Sequence, residues 1–278
     1  MRIAVTGASG VIGRGLAARL LSQGHDVAGI ARHRPESWPG AADFVAADIR
    51  DADAVRRALA GADVVAHCAW ARSSGYDDQV NIDGTRNVLA AMAEAGVRRI
   101  VFASSAHVYG AEDAPKTEYD STAPAGAEGQ FKARAERMLA ESGAEWVAIR
   151  SALILGRSVD NWVRRLFALP ILPDRSSDRR LQVVHLDDVL RLFNHAIVEA
   201  GITSGPVNLA APGELTLRQI AAALRRPVVP LGLEPAELRM VREAALMDTA
   251  RLREEWGFRP AWESGECVQD FALAVRGR

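Results

Sequence analysis

The sequence predicts an α/β fold: a doubly wound parallel sheet with a smaller C-terminal lobe. Three observations predict it. The chain opens as strand, glycines, helix. Arg2 to Thr6 is a short apolar, β-branched run, Gly7, Gly10 and Gly13 follow at intervals of three, and Leu16, Ala17, Leu20 and Leu21 recur at helical spacing. Strand and helix signals then alternate as far as Arg150, and the strands are near-continuous apolar runs, as in a sheet covered on both faces. After Gly156 the rhythm changes, and prolines at 170, 173, 206, 212, 227, 230 and 235 break the pattern into short pieces. The expected division is 1–155 as the main domain and 156–278 as the smaller lobe, with some segments returning to the first.

The glycines sit where a strand turns into a helix, which is where a dinucleotide site needs them. Gly7 allows a tight turn, Gly10 leaves room for a pyrophosphate at the backbone, and Gly13 lets the helix pack on the sheet. The free N–H groups and positive end of the helix attract phosphates. Asp26 to Ile30 is the second predicted strand and Ala42 to Ala46 a weaker third. Ala52 to Leu59 reads as a helix that Asp51 can cap. Asp63 to Ala66 is the fourth strand, Asp77 to Ala95 a longer helix stopped by Gly96, and Arg99 to Ser104 the fifth strand. Gln130 to Ser142 is a further helix, and Trp146 to Arg150 the sixth strand. Beyond them, Leu181 to Val184 and Pro206 to Leu209 read as strands, and Leu186 to Glu199 and Leu215 to Leu224 as helices, the latter begun near Glu214.

The 278 residues are 49% hydrophobic and 25% charged, ordinary for a soluble globule. A net charge of -1 argues against a general nucleic-acid or anionic-membrane binder. Cys68 and Cys267 lack a metal-ligand spacing and are expected to be thiols in a reducing compartment. No apolar stretch approaches the roughly 20 residues of a membrane span, and no leader-like segment precedes the first strand, so the expected compartment is the cytoplasm.

The ordered motifs resemble those of an extended short-chain dehydrogenase/reductase, the group that contains the NAD-dependent epimerases and dehydratases. TGASGVIG (6–13) resembles its nucleotide loop. DIRD (48–51), HCA (67–69), NIDGT (81–85), SSAHVYG (104–110), VHLDDV (184–189), NLAAP (208–212) and MDTARLREEWGFRP (247–260) resemble its later motifs in order. The resemblance implies a Rossmann dinucleotide-binding domain over 1–155 and a mainly substrate-binding lobe over 156–278. It implies that Val11 and Ile12 bring backbone N–H groups to the pyrophosphate. Asp48 and Ile49 would hold the adenine, Cys68 and Ala69 would line the cofactor, and Asn81 would approach it. It also implies a homodimer through the helices read at 77–95 and 130–142.

Two positions depart from the family pattern. An NAD site places an acid at the end of the second strand, but here the chain reads Ala31-Arg32-His33-Arg34. Without that carboxylate, Arg32 or Arg34 can serve a 2′-phosphate, which favours NADP, with NAD as the alternative. The family also carries a tyrosine and a lysine four residues apart, with a serine after the fifth strand. Ser105 and Lys132 match the serine and the lysine, but Glu128 stands in the tyrosine's place. Two roles are open to Glu128. It can be a recruited acid–base group, which needs strong desolvation, or simply the i, i+4 partner of Lys132. His107 and Tyr119 are thinner candidates for the lost acid. Arg164, Arg165, Arg179 and Arg180 could meet an anionic substrate. Trp70, Trp162 and Phe167 could line an apolar pocket, and His185 and Asp187 read as structural.

Three functions follow from this reading. The first is an NAD(P)-dependent oxidoreductase acting on a carbonyl or alcohol of a small molecule, with Ser105, Glu128 and Lys132 at its catalytic site. The second is a dinucleotide-binding sensor or partner-binding module without turnover. The third is an NAD-dependent nucleotide-sugar epimerase or dehydratase, against which Ala31 and Glu128 both count.

Overall fold

The apolar run Arg2–Thr6 forms the first strand, β1, and its neighbours build outward from it. The structure is a computed structural model that describes residues 1–278 apart from 41, 72–77, 112–113, 174–177, 200, 231–235 and 277–278. After β1 come α1 (Val11–Ser22), β2 (Asp26–Ala31), β3 (Asp43–Ala46), α2 (Ala52–Leu59), β4 (Val64–His67), α3 (Gly84–Ala95), β5 (Arg99–Ser105), α4 (Ala127–Glu141) and β6 (Glu145–Ser151). The chain continues through β7 (Leu153–Leu155), α5 (Trp162–Phe167), β8 (Leu172–Pro173), β9 (Arg180–Leu181), β10 (Val183–His185), α6 (Leu186–Val198) and β11 (Gly205–Leu209). Then follow β12 (Leu215–Thr216), α7 (Leu217–Ala223), β13 (Val228–Val229), α8 (Ala236–Glu243), α9 (Ala250–Glu254) and α10 (Ser264–Arg276).

Seven strands form one sheet in the order β11-β6-β5-β4-β1-β2-β3. The pairs β1–β2, β2–β3, β1–β4 and β4–β5 are parallel. This is the doubly wound α/β sheet that the alternating pattern predicts. The strand order turns back at β1, flanked by β2 and β4, and such a switch point leaves a crevice outside the carboxyl ends of the strands.

The chain divides into two compact units, Met1–Ser104 with Gln130–Ile149 and Leu190–Pro206, and Ser105–Gly129 with Arg150–Val189 and Val207–Arg278. The core of the first packs Ala4, Ile30, Val65, Ile100 and Ala148 of the strands against Val55, Leu59, Val88, Met92 and Leu139 of the helices. The core of the second gathers Leu155, Phe167, Val183, Ile220, Leu238 and Phe271. Each fully buried large side chain contributes about 1.5–3 kcal/mol. Phe167 meets Phe271 edge-on at 5.9 Å, so it is core rather than pocket lining.

Local chemistry explains where elements begin and end. Asp51 accepts from the Ala54 N–H at 3.0 Å and caps α2 as expected, worth about 1 kcal/mol. Gly96 closes α3 in the left-handed region at φ 70°. The expected start of that helix, Asp77, lies outside the described residues, and a π-helical turn over Gln79–Asp83 leads into α3. α4 starts at Ala127 rather than Gln130 and runs through Gly129. A Cβ on Gly129 would lie 2.2 Å from the His107 carbonyl oxygen, so a close approach demands the glycine. The strand expected at Leu181 to Val184 is two pieces: β9 pairs antiparallel with β12, and β10 pairs parallel with β7. Gln182 between them exchanges two hydrogen bonds with the Met247 backbone, at 3.0 and 2.8 Å. The helix expected from Leu215 starts at Leu217, because Thr216 and Gln219 form a capping box that leaves Leu215–Thr216 extended.

Candidate functional site

A pocket of about 140 Å³ lies in the first unit at the carboxyl ends of β1, β2, β3 and β4. Each strand delivers one wall. Gly7, Ser9 and Gly10 follow β1, Ile30 to Arg32 end β2, Ala47 to Ile49 follow β3, and Cys68 to Ala71 follow β4. The pocket therefore brings together Gly7, Gly10, Arg32, Asp48, Ile49, Cys68 and Ala69 of the expected cofactor residues. Ser9, Ala71 and Val80 join them with no sequence signal of their own.

The glycines do separate jobs. Gly7 has φ 67°, and a Cβ there would sit 2.5 Å from the Ala69 nitrogen. A Cβ on Gly13 would sit 2.4 Å from the Gly7 oxygen. On Gly10 it would meet only the Gly7 oxygen, at 3.2 Å, a tight contact but far milder than at Gly7 or Gly13. Gly10 is the N-cap of α1, without a side-chain cap and without an acid in the first turn. Val11, Ile12 and Gly13 form that turn, whose N–H groups and helix dipole suit an anion. Trp70 also lines the pocket. Its buried indole Nε1 has no hydrogen-bond acceptor among the described residues, so a polar ligand atom would satisfy it. Backbone cradle, helix end and waiting donor together fit a dinucleotide.

Asp48 is held by Arg50, whose backbone N–H and Nε donate to Oδ1 at 2.9 and 3.1 Å while Nη2 donates to Oδ2 at 3.0 Å. Burial pushes its carboxyl upward, but these bonds and the charges of Arg50 and Arg32 leave it below its ordinary value. Ile49 is buried, and Gly84 makes its place: a Cβ at 84 would lie 2.4 Å from Ile49 Cδ1. Burial pushes the Cys68 thiol up to about 12 against a partial offset from Lys132. Arg34 stacks over Phe44 at 6.0 Å and is not part of the pocket wall. Asn81 is buried and faces the neighbouring loop instead of the pocket, accepting from the Ala71 N–H at 2.8 Å and donating to the Ala71 oxygen at 3.2 Å. It orients Ala71, which does line the pocket.

Behind the pocket runs a polar chain that the sequence reading missed. Thr6 Oγ1 and His67 Nδ1 are 2.6 Å apart, and His67 Nε2 and Thr85 Oγ1 are 3.0 Å apart. Thr85 donates to the Asn81 oxygen at 2.6 Å, and the Ala69 N–H donates to Thr6 Oγ1 at 3.2 Å. Those directions fix the neutral tautomer: Nε2–H donates to Thr85, and Nδ1 accepts from Thr6. Burial, helped by the Lys132 charge, lowers His67 to about 3. Lys132 is itself buried at 5% exposure. Its Nζ donates to the Ala103 oxygen and lies 3.5 Å from the Trp70 ring centroid and 4.7 Å from that of Phe102. A desolvated cation–π contact of that kind is worth about 2 kcal/mol.

Ser105 and Glu128 belong to the second unit. Ser105 ends β5, and its Oγ lies 2.7 Å from His107 Nδ1. His107 Nε2 reaches the Met240 oxygen at 2.8 Å. Glu128 sits in the first turn of α4. Tyr109 is fully buried, donates to Asn208 Oδ1 at 2.8 Å and accepts from Arg150 at 2.7 Å. Burial pushes its phenol up to about 12, so it is a structural strut. Tyr119 is 80% exposed and donates to Glu255. Arg164 donates to the Ala274 oxygen, and Arg180 pairs with Glu214. His185 stacks on Trp262 at 3.8 Å, and its Nε2 lies 3.2 Å from Asp270 Oδ2. Among the described residues, no cluster of His, Cys, Asp or Glu suits a metal ion, and no helix is long and apolar enough to cross a membrane.

Residues 3–210 match the NAD dependent epimerase/dehydratase family. An uncharacterized protein of Mycobacterium tuberculosis is 60% identical over 285 residues, covering 100% of this chain, which spans 30% of that protein's length. The 2-alkyl-3-oxoalkanoate reductase of Stenotrophomonas maltophilia is 35% identical over 203 residues, covering 66% of this chain and 58% of that protein. The structure of Thermus thermophilus UDP-glucose 4-epimerase in complex with NAD superposes with a TM-score of 0.84 at 25% identity, covering 100% and 99% of the two chains. With the strand order, the glycine cradle and the pocket at the switch point, these matches show that the chain belongs to the NAD dependent epimerase/dehydratase family.

Proposed function

We propose that the chain is an NADP-preferring oxidoreductase that acts on the carbonyl or alcohol group of a small molecule through an altered catalytic site. The observation that carries this reading is the ribose corner of the pocket. β2 ends on Ala31 with no carboxylate, and Arg32 lines the wall beside it. A 2′-phosphate meets no repulsion from that strand end and finds a planar, charge-assisted partner in the guanidinium. The similarity to a named reductase supports the reaction class. In this reading Ser105 polarises the substrate oxygen, Lys132 serves the ribose hydroxyls, and Glu128 fills the slot of the family's proton-donating tyrosine.

A second reading is a dinucleotide-binding module without turnover. It is favoured by the packing of Lys132, whose ammonium lies against Trp70 and on the Ala103 carbonyl. Turnover separates the two. Wild type and Glu128→Gln are assayed side by side with NADPH and a panel of small carbonyl compounds. The proposal expects NADPH oxidation with at least one compound, nearly unchanged in Glu128→Gln. A fall of about 10²–10⁴ in the variant makes Glu128 the acid instead. No oxidation by wild type, with cofactor bound, favours the second reading.

A further inference from the structure

If Glu128 carries no proton, another group must, and the second unit holds one already connected to Ser105. The Met240 carbonyl can only accept, so the His107 Nε2 that lies 2.8 Å from it bears a hydrogen. In the neutral ring Nδ1 then presents a lone pair, and Ser105 Oγ, 2.7 Å away, donates to it. The His107 backbone N–H approaches the same oxygen at 3.4 Å. A hydroxyl bonded to an imidazole that a third group orients is the general arrangement for moving a proton through the hydroxyl. The rigidity of the elements supports it. Ser105 ends β5 and caps the short 3₁₀ turn Ala106–Tyr109 that carries His107, so two residues of one turn fix both groups.

Resting on the oxidoreductase reading, we infer that His107 is a positioning residue for Ser105 and the reservoir of the proton that Ser105 passes to or from the substrate oxygen. In reduction, the carbonyl carbon takes a hydride from a reduced nicotinamide dinucleotide, which is thereby oxidised, and the C=O π pair moves to oxygen. The oxygen takes the Ser105 Oγ proton. Ser105 takes the Nδ1 proton of the imidazolium, which returns to its neutral form with Nε2–H still on Met240. One proton taken up from solvent, the proton that carbonyl reduction consumes, then restores Nδ1–H. Alcohol oxidation runs the same relay backwards, and the imidazolium that forms keeps its Nε2–H bond to the carbonyl.

His107→Gln separates relay from support. Its amide can accept from Ser105 and donate to a carbonyl, but it cannot carry the proton. Two measurements test the inference. Ring ¹⁵N spectra of the cofactor-free protein are expected to show His107 as the Nε2–H tautomer, with an Nδ1 signal that shifts in Ser105→Ala. An Nδ1–H tautomer, or no shift, overturns the hydrogen bond and the relay with it. In turnover, His107→Gln and His107→Ala are expected to lose about 10²–10⁴ in kcat with NADPH KM nearly unchanged, and added imidazole restores part of the rate to His107→Ala. Full kcat in His107→Gln, with melting as in wild type, overturns the relay and leaves the oxidoreductase reading standing. A wild type that shows the hydrogen bond and turns nothing over overturns both together.

Discussion

Gly7, Gly10 and Gly13 look alike in the sequence, and the structure gives them unequal work. Gly7 and Gly13 answer to the protein itself, since a Cβ on either would strike backbone at about 2.4–2.5 Å. A methyl on Gly10 would press only on the Gly7 oxygen, at 3.2 Å, which a small shift relieves, whereas a pyrophosphate seated at that backbone would meet it directly. Gly10→Ala is therefore expected to melt like wild type and to lose at least about tenfold in dinucleotide affinity, roughly 1.4 kcal/mol. Gly13→Ala is expected to be destabilised by about 1–3 kcal/mol, because backbone must move to admit the methyl. Thermal melting and calorimetry on both variants check this, and equal melting with equal affinity contradicts it. These roles were legible because strand, turn and helix are contiguous. The difference between Arg32 and Arg34 was not, since it depends on Phe44, which offers Arg34 a ring.

At the scale of elements, β1, β4 and α3 are pinned by the Thr6–His67–Thr85 chain. An unfolded histidine takes a proton near pH 6.5, but His67 in the fold does not until about 3. Between those values the unfolded chain binds the extra proton. The stability is full above about pH 6.5 and is lost as pH falls, by up to about 1.4 kcal/mol per pH unit. Denaturant unfolding near pH 7 and near pH 5 should show this slope in wild type and a shallower one in His67→Gln; equal slopes contradict the account. The main sheet was readable because apolar runs alternate with helical spacing. The break at Gln182 was not, because a backbone sixty-five residues away makes it. Thr216 to Gln219 was a readable capping box that an apolar run beginning at Leu215 concealed.

Across the whole molecule the chain passes repeatedly between two units, so a cut at residue 155 would remove Leu190–Pro206 from the first. Sequence pattern reached the residues of this pocket because four strand ends supply them from the first 80 residues. It reached the catalytic candidates less well. The surroundings of Lys132 come from Trp70, Phe102 and Ala103, none adjacent to it in sequence. Arg32 lines the pocket where β2 ends without a carboxylate, and the proposed NADP preference rests on it. Its most direct test is calorimetry of NADPH and NADH with wild type, Arg32→Ala and Arg34→Ala. Wild type is expected to prefer NADPH. Arg32→Ala should weaken NADPH by about 1.5–3 kcal/mol, roughly ten- to a hundredfold, with NADH nearly unmoved and Arg34→Ala close to wild type. Tighter binding of NADH by wild type, or NADPH affinity indifferent to Arg32, contradicts the account.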